Sequence, residues 1–315
     1  MNQDELIVAV AEDYYLNKAS FAAISKKYNL SRYLINKYLN DGLKSGLVRI
    51  EIQSNSHRNQ QLEQLFSAQF PDVHFTIIKD AADEIESMHR LAENSANIAQ
   101  QLIQAQNPQV LGLAWGESMY NLIDNFNNIP LRDTYFVQFI GENMKYHSTV
   151  GSTRMVEKAA TKFSCEFRTL LAPLYILDDQ TRLGLAHEPA TKSTLAMGSQ
   201  MDMLITGLGT LKSLQSIEPW NDNLTAIIPE SDLPNVAGLI YGRPYDIDGQ
   251  FLNVDHDKTF GLDLETIMHV PTRFCFVRGK FKSMTTIGAL KGKLVTDIVF
   301  SESLAYRMLD DLKNL

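Results

Sequence analysis

The chain has 315 residues, of which 44% are hydrophobic and 21% charged, and its formal net charge is −8. This composition is ordinary for a soluble globular protein, and the length is too great for one small domain. No apolar run approaches the roughly 18 residues that span a bilayer, and the acidic start lacks the basic segment of a secretory signal. Because Cys165 and Cys275 are the only cysteines, we expect no disulfide framework and a cytoplasmic location.

Apolar spacing at the start of the chain predicts three helices and a short strand, over residues 4–16, 21–28, 31–43 and 47–52. Ser20 and Ser31 stand at the starts of the second and third helices, where a hydroxyl can accept a hydrogen bond from the first turn. Asn29 lies between these helices and tolerates the left-handed backbone of a tight turn. This order predicts a winged helix-turn-helix domain over residues 1–52.

Charge is distributed unevenly along the chain. Seven basic residues but only one acidic residue, Asp41, lie between Lys18 and Arg49, whereas the rest of the chain is acidic. A basic island on an acidic protein is typical of a surface that binds a polyanion. A solvated helix face is the alternative interpretation of the same charges.

The third predicted helix carries polar residues on its outer face, as the recognition helix of a helix-turn-helix does. Such a helix lies in the major groove, where arginine pairs with guanine and asparagine with adenine. Lysines nearby contact phosphates and fix position rather than sequence. The predicted DNA-binding residues are Lys26, Lys27, Ser31, Arg32, Tyr33, Asn36 and Lys37. A generic three-helix domain that does not bind DNA is the alternative.

A polar segment over residues 53–60 predicts a linker, and residues 61–315 then alternate short apolar runs with helical segments. Helices are predicted over residues 61–70 and 82–106. The predicted strands cover residues 73–78, 110–115, 135–140, 170–177, 203–207, 237–241 and 273–277. Strands that alternate with helices form a parallel sheet covered on both faces, so we expect a doubly wound α/β domain.

Glycines follow several of the predicted strands: Gly116 within GLAWGES, Gly141 after VQFI, and Gly207 and Gly209 in GLG. In an open parallel sheet, ligands bind beyond the carboxyl ends of the strands. Backbone amides at a helix start near Ser118, together with its hydroxyl, would cradle a phosphate. A glycine after a strand also serves as a plain turn, and each glycine alone leaves that alternative open.

Segments of the head and the body resemble one protein family, in the same order along the chain. The head segment ISKKYNLSRYLINKYL, residues 24–39, with KSGLVRI after it, resembles the DNA-binding head of the SorC/DeoR family of sugar-binding transcriptional regulators. In the body, LGLAWGES, VQFIG, LAP, MDMLITGLG, YDIDG and KSMTTIGALKG resemble successive landmarks of that family. By this resemblance the chain is identified as a member of the SorC/DeoR family.

The resemblance implies a Rossmann-like effector domain similar to sugar-phosphate isomerases and deaminases, which binds a phosphorylated sugar and is not catalytic. It also implies a homotetramer on double-stranded operator DNA, and we expect neither a cofactor nor a metal. Arg154 and Lys282 can neutralise a phosphate, and Asp246 can accept hydrogen bonds from sugar hydroxyls. The ligand-binding residues carried over by position are Trp115, Gly116, Glu117, Ser118, Gly141, Arg154, Gly207, Gly209, Asp246 and Lys282.

The sequence departs from the family pattern at four positions of the predicted ligand site. Arg278 stands where the family usually has glycine, and Leu239 and Ser301 replace acidic residues. Glu142 follows Gly141, where a second glycine is common. These changes bear on the identity of the ligand more than on the fold, and Arg278 favours a second phosphate or another anionic group.

Two other function classes compete with a sugar-responsive regulator. The first is a sugar-phosphate isomerase or deaminase with an accessory DNA-binding head, which needs a positioned acid–base pair near the glycine turns. His147, His187, His256 and His269 are scattered, and neither HExxH nor CxxC occurs. The second is a protein-binding module in which the glycines are only turns.

Overall fold

Three helices make up the first part of the chain in the computed structural model, which describes residues 3–45, 47–48, 57–143 and 154–315. They span Gln3–Ala11 (α1), Phe21–Tyr28 (α2) and Arg32–Ser45 (α3), and α1 continues into a wider helical turn over Glu12–Leu16. Their shared core contains the buried side chains of Val10, Ala11, Ile24, Ile35 and Leu39. The three predicted helices are therefore confirmed.

The boundaries of α2 and α3 depend on the polar residues that the sequence places there. The Ser20 hydroxyl accepts a hydrogen bond from Ala23 N, and the Ser31 hydroxyl accepts one from Leu34 N, each at 3.2 Å. Asn29 ends α2 with φ 52° and ψ 44°, the left-handed conformation that asparagine tolerates. The predicted caps and turn are confirmed.

The predicted wing falls largely outside the described residues. Leu47 and Val48 form a bend after α3, and Val48 N donates to Gly42 O, while the rest of the predicted strand, 49–52, is not among the described residues. The wing therefore stays a prediction.

A buried carboxylate joins α1 and α2. Asp13 is 7% exposed, and its carboxylate accepts hydrogen bonds from Lys27 Nζ and Tyr28 Oη at 2.7 Å and from Asn17 Nδ2 at 3.0 Å. These donors lower the pKa of Asp13 from 3.8 to about 2, with Lys27 as the largest cause. Lys27 therefore has a structural partner inside the head, which the sequence pattern did not indicate.

The chain divides into two units, Met1–Ser56 and His57–Leu315. The second unit includes part of the predicted linker: Lys79 N donates to His57 O, and Asn59 N donates to Ile77 O, each at 2.7 Å. The Asn59 side chain caps the next helix by accepting from Leu62 N. Residues 53–56 lie outside the described residues.

Nine strands occur among the described residues of the second unit: His74–Ile78 (β1), Val110–Leu113 (β2), Tyr135–Gln138 (β3), Glu166–Arg168 (β4), Met203–Gly207 (β5), Gly238–Ile240 (β6), Arg243–Tyr245 (β7), Thr272–Phe276 (β8) and Asp297–Ser301 (β9). Seven of them form one sheet in the order β1-β9-β8-β5-β2-β3-β4, and every pair in it is parallel.

The helices of the second unit described here are Gln60–Gln69 (α4), Glu84–Gln106 (α5), Glu117–Asp124 (α6), Met155–Phe163 (α7), Asp179–His187 (α8), Pro189–Gly198 (α9), Leu211–Gln215 (α10), Glu218–Asn221 (α11), Leu224–Ile227 (α12), Leu264–Met268 (α13), Ser283–Lys291 (α14) and Glu302–Leu312 (α15).

Both faces of the sheet are buried. Along β5, Met203 and Ile205 join the apolar cluster that α5, α6 and α7 complete, while Leu204 joins a second cluster with α4, α14 and α15. In β8, likewise, Phe274 joins the first of these clusters and Cys275 joins the second. Successive side chains of a strand point to opposite faces, so a sheet covered on both sides requires apolar residues throughout. The predicted α/β class with a parallel sheet is confirmed.

Two predicted strands differ from the structure. Residues 170–177 form no strand of the sheet: Pro173 lacks the N–H that a ladder needs, and only isolated bridges tie the segment to Glu142 and Thr259. Leu170 and Ala172 are instead buried against Phe260 and side chains of α8 and α9, whereas Leu171 is exposed. The short strand β4 just before it takes the edge of the sheet.

The predicted strand over 237–241 belongs to a separate hairpin. β6 and β7 pair antiparallel through Tyr241 and Gly242, whose φ values are 56° and 79°. Two consecutive positive φ values give the turn that matches the twist of a hairpin, and a tyrosine there gives little sequence signal. Strand β9, between β1 and β8, was also missed.

We expect Asp13→Asn to destabilise the head selectively. The carboxylate has a pKa of about 2 in the folded protein, below its ordinary 3.8. Its contribution to folding is therefore present above pH 3.8 and is lost as the pH falls towards 2. At pH 7, hydrogen exchange in α1 and α2 should be faster in Asp13→Asn than in the wild type, with exchange in β5 and β8 unchanged.

Lys27→Ala should act in the same direction, because it removes the strongest partner of Asp13. Lys26→Ala, a matched change of an exposed lysine on the same helix, should leave exchange as it is. Wild-type exchange rates in the Asp13→Asn head would contradict the stabilising role of the carboxylate.

Candidate functional site

A cleft of about 1270 Å³ opens beyond the carboxyl ends of β2, β5 and β8. These strands are neighbours in the sheet, with Leu113 beside Ile205 and Gly207 beside Phe276. The segments that follow them, 114–121, 207–210 and 278–282, line the cleft. The parallel arrangement therefore brings three loops from distant parts of the sequence to one place.

The loop after β2 ends in a helix start that faces the cleft. Gly116 has φ 132°, a conformation that favours glycine, and α6 begins at the next residue, Glu117. The first amides of a helix lack partners within it and carry partial positive charge. A Cβ added at Gly207 would lie 3.6 Å from Ser118 Cβ, so the end of β5 is close to this helix start. The arrangement can accept an anion.

Lys282 supplies a buried cation on the same cleft. It is 8% exposed, and its Nζ donates to Leu208 O at 2.6 Å. Burial lowers the pKa of Lys282, and the charge of Arg278 adds to this, while Cys275 and Glu117 oppose it. An anion bound at this ammonium would restore the stability of its charged form.

Arg278 and Glu117 form an ion pair at the cleft. Arg278 Nη1 donates to Glu117 Oε1 at 3.2 Å, and Nη2 contacts Met88 Sδ at 3.2 Å. The side chain of Arg278 is 27% exposed and that of Glu117 is 75% exposed. Glu117 can therefore leave this pair for solvent, whereas the largely buried Arg278 would then need another anion.

Aromatic rings form one wall of the cleft. The rings of Trp115 and Trp220 are 6.0 Å apart, and those of Tyr175 and Trp220 are 5.0 Å apart. Trp115 Nε1 donates to Gly141 O at 2.6 Å, which ties the end of β2 to the loop after β3. Burial raises the pKa of Tyr175, whose hydroxyl donates to Gly242 O. Rings of this kind offer apolar faces to the carbon skeleton of a ligand.

Seven of the ten predicted ligand residues lie together on this cleft. They are Trp115, Gly116, Glu117, Ser118, Gly207, Gly209 and Lys282. Gly141 does not line the cleft, and its carbonyl accepts the hydrogen bond of Trp115, which does. A Cβ at position 141 would overlap the carbonyl of Pro173, so close packing is enough to explain this glycine.

Arg154 and Asp246 do not line the cleft. Arg154 precedes α7, is 54% exposed and contacts Glu157 at 4.0 Å, and residues 144–153 before it lie outside the described residues. The Asp246 carboxylate accepts hydrogen bonds from Asp248 N and Gln250 N and so closes a turn. Turn closure is enough to explain this aspartate.

Sequence reasoning missed Tyr175 and Trp220 as part of the site. Trp220 follows β5 by thirteen residues, and Tyr175 lies in the segment that was expected to be a strand. The one available signal was that the chain has only two tryptophans, the first of which was already a candidate.

The predicted DNA-binding residues divide into two groups. Lys26, Arg32, Tyr33, Asn36 and Lys37 are exposed on α2 and α3, and Tyr33 is 76% exposed. The Arg32 guanidinium lies 5.5 Å from the centre of the Phe21 ring. Ser31 and Lys27 have structural partners, as helix cap and as the ion pair of Asp13.

Comparison with known proteins identifies the family. The model of the Sugar-bind family, described as "Putative sugar-binding domain", matches residues 54–310. The chain belongs to this family of sugar-binding transcriptional regulators, the SorC/DeoR family. The interpretation drawn from the sequence motifs is thereby confirmed.

Full-length relatives are regulators by name. The chain is 23% identical over 317 residues to the sorbitol operon regulator of Klebsiella pneumoniae, with 98% of this chain and 99% of the relative covered. It is 24% identical over 314 residues to the transcriptional regulator LsrR of Escherichia coli strain K12, with 98% and 96% covered.

Two solved structures share the fold. The full-length sorbitol operon regulator SorC from Klebsiella pneumoniae has a TM-score of 0.67 at 21% identity, covering 98% of this chain and 100% of that one. A DeoR family transcriptional regulator from Listeria monocytogenes has a TM-score of 0.67 at 22% identity, covering 79% and 98%. Within the described residues, no helix is long and apolar enough to cross a membrane, and no group of side chains is suited to hold a metal.

The two tryptophans make the cleft directly observable. We expect inorganic phosphate to change the intrinsic fluorescence of the chain, because Trp115 and Trp220 both line the site. Anion binding favours the protonated ammonium of Lys282, whose pKa lies below the ordinary 10.5. Phosphate affinity should therefore fall as the pH rises through the lowered pKa of Lys282.

Lys282→Met should bind phosphate more weakly and lose this alkaline fall, since no titrating ammonium remains. Lys313→Met, a change of an exposed lysine near the end of α15, is the control and should behave as the wild type. An alkaline fall of equal size in Lys282→Met would contradict the role of this lysine.

Proposed function

We propose that the chain is a DNA-binding regulator of carbohydrate genes whose affinity for its operator is controlled by a phosphorylated sugar in the cleft. One observation carries the ligand class: the start of α6 and the buried ammonium of Lys282 line the same cleft. Family membership supports the regulatory role, and we infer that the protein acts in the cytoplasm, where operator DNA is found.

The phosphate would be held by the first amides of α6, the Ser118 hydroxyl and Lys282. Amides and helix dipole supply directional donors, while the ammonium supplies a full charge. Lys282 Nζ already donates to Leu208 O, and since an ammonium has three donors, two remain for the phosphate. The sugar would lie against Trp115, Tyr175 and Trp220, whose rings form the apolar wall.

We infer binding without turnover. General acid–base catalysis needs a positioned group that is free to exchange a proton. Three of the four described carboxylates that line the cleft have other partners: Asp80 accepts from Ser303 N, Asp83 caps α5 by accepting from Glu86 N, and Glu117 pairs with Arg278. The fourth, Glu84, is exposed at the start of α5. Incubation of the chain with sugar phosphates, followed by analysis of the products, tests this inference, and turnover would favour the isomerase or deaminase alternative.

The head would read DNA through α3. A helix-turn-helix covers few base pairs, so symmetric half-sites bound by a homo-oligomer provide affinity and specificity. We propose the tetramer that the family resemblance implies, and a winged form of the head. A ligand can change DNA affinity only if it binds one arrangement of that oligomer better than another.

Substitutions on α3 should affect base recognition. With an operator selected from random duplexes by the wild type, Arg32→Ala or Asn36→Ala should cost about 1–3 kcal/mol of binding free energy and relax specificity at one base pair. Lys37→Ala should weaken all duplexes alike and lower the slope of affinity against salt by about 1. Fluorescence anisotropy measures both effects.

Lys26→Ala is better suited than Lys27→Ala to test phosphate contacts, because Lys27→Ala also removes the partner of Asp13. Operator affinity that survives Arg32→Ala, Asn36→Ala and Lys37→Ala together would show that α3 is not the recognition helix.

The response to ligand should depend on Lys282. A coupling of about 1–3 kcal/mol would change operator affinity 5- to 150-fold when the best-binding member of a sugar-phosphate panel is added. Lys282→Met should keep operator affinity without ligand and lose most of the response, while Lys313→Met responds as the wild type does. A full response in Lys282→Met would rule out its proposed role, and no wild-type response to any sugar phosphate would rule out the sensor.

A further inference from the structure

The guanidinium of Arg278 has fewer oxygen partners than those of two other arginines among the described residues, Arg243 and Arg273. Arg243 donates to the Asp257 carboxylate and to the carbonyls of Tyr241 and Leu262. Arg273 donates to four carbonyl oxygens, those of Met268, Val270, Lys293 and Leu294. Both guanidinium groups are therefore held by several oxygen acceptors.

The Arg278 guanidinium has far fewer oxygen partners, although 73% of its side chain is removed from solvent. Among the hydrogen bonds of the described residues, it has one oxygen partner, Glu117 Oε1 at 3.2 Å, and one sulfur partner, Met88 Sδ. A thioether is a weak acceptor, whereas a guanidinium has five donors arranged to bind carboxylate or phosphate in a bidentate manner. Most of its donor capacity is thus available at the wall of the cleft.

The two cations of the cleft have different partners. Lys282 extends inward to Leu208 O, while Arg278 extends to Glu117 and to Met88 on α5. The charges of Arg278 and Glu117 both shift the pKa of Lys282, so the three groups are close enough to interact electrostatically. A single phosphate held at Lys282 and the start of α6 leaves Arg278 paired with the exposed Glu117.

We propose that Arg278 forms a second anion-binding subsite, so that the effector carries two anionic groups: the phosphate of the proposed function and, some distance along the sugar, a second phosphate or a carboxylate. In the free protein Glu117 forms an ion pair with Arg278, and the second anion displaces Glu117 from this pair. This proposal rests on the proposed function, because it takes the first phosphate to lie at Lys282.

Matched ligand pairs test the subsite by tryptophan fluorescence. Glucitol 6-phosphate and 6-phosphogluconate differ only at C1, where an alcohol is replaced by a carboxylate; fructose 6-phosphate and fructose 1,6-bisphosphate differ by a phosphate. In the wild type, the doubly anionic member of at least one pair should bind about 10- to 100-fold more tightly.

Arg278→Met removes the charge and the guanidinium donors while keeping an unbranched apolar stem. The affinities of this variant for the two members of that pair should become equal to within about twofold. Arg278→Lys keeps the positive charge but lacks the planar guanidinium that binds an anion in a bidentate manner. It should therefore retain only part of the preference for the doubly anionic ligand. Glu117→Gln should bind the doubly anionic ligand more tightly than the wild type, since its competitor for Arg278 is gone. Arg307→Met, on the exposed side of α15, is the control and should discriminate as the wild type does.

The outcomes separate the two proposals. Equal wild-type affinity for both members of every pair, or discrimination that persists in Arg278→Met, would overturn the second subsite and leave the sensor intact. Absence of binding by all four compounds would count against the proposed function itself. Thermal denaturation of each variant establishes that a lost preference does not reflect a lost fold.

Discussion

Parallel pairing of β8, β5 and β2 at the centre of the sheet is the constraint on which the candidate site depends. Because all three strands run in one direction, the turns after Leu113, Gly207 and Phe276 emerge at one edge. Each strand is short and buried on both faces, so its register is fixed by two apolar clusters at once. The cleft is therefore positioned by the core, and the loops that line it can vary without altering the sheet.

The charged groups of the site gain their properties from this placement. Lys282 precedes a helix that packs into the core, which explains why its ammonium is buried and its pKa is lowered. Arg278, only four residues earlier, is largely buried, but its partner Glu117 is exposed. One short segment after β8 thus carries a buried cation and a more accessible one, to which we assign affinity and selectivity respectively.

The sequence predicted those features of the fold that local patterns encode, and it failed where partners are distant. Ser20, Asn29 and Ser31 fixed the helices of the head because caps and left-handed turns are local preferences. The segment around Pro173 gave a false strand because burial against helices α8 and α9 and burial in a sheet select the same apolar residues. The ion pair of Lys27 with Asp13, and the contact of Trp115 with Trp220, join residues far apart in sequence, so no spacing rule could have found them.

The central claim is that an anionic sugar ligand binds where the start of α6 meets Lys282. A crystal structure of the chain with its best-binding sugar phosphate tests this most directly. The account predicts that the phosphate accepts hydrogen bonds from the first amides of α6 and from Lys282 Nζ, with the sugar against Trp115 and Trp220. A phosphate bound outside this cleft would contradict the account.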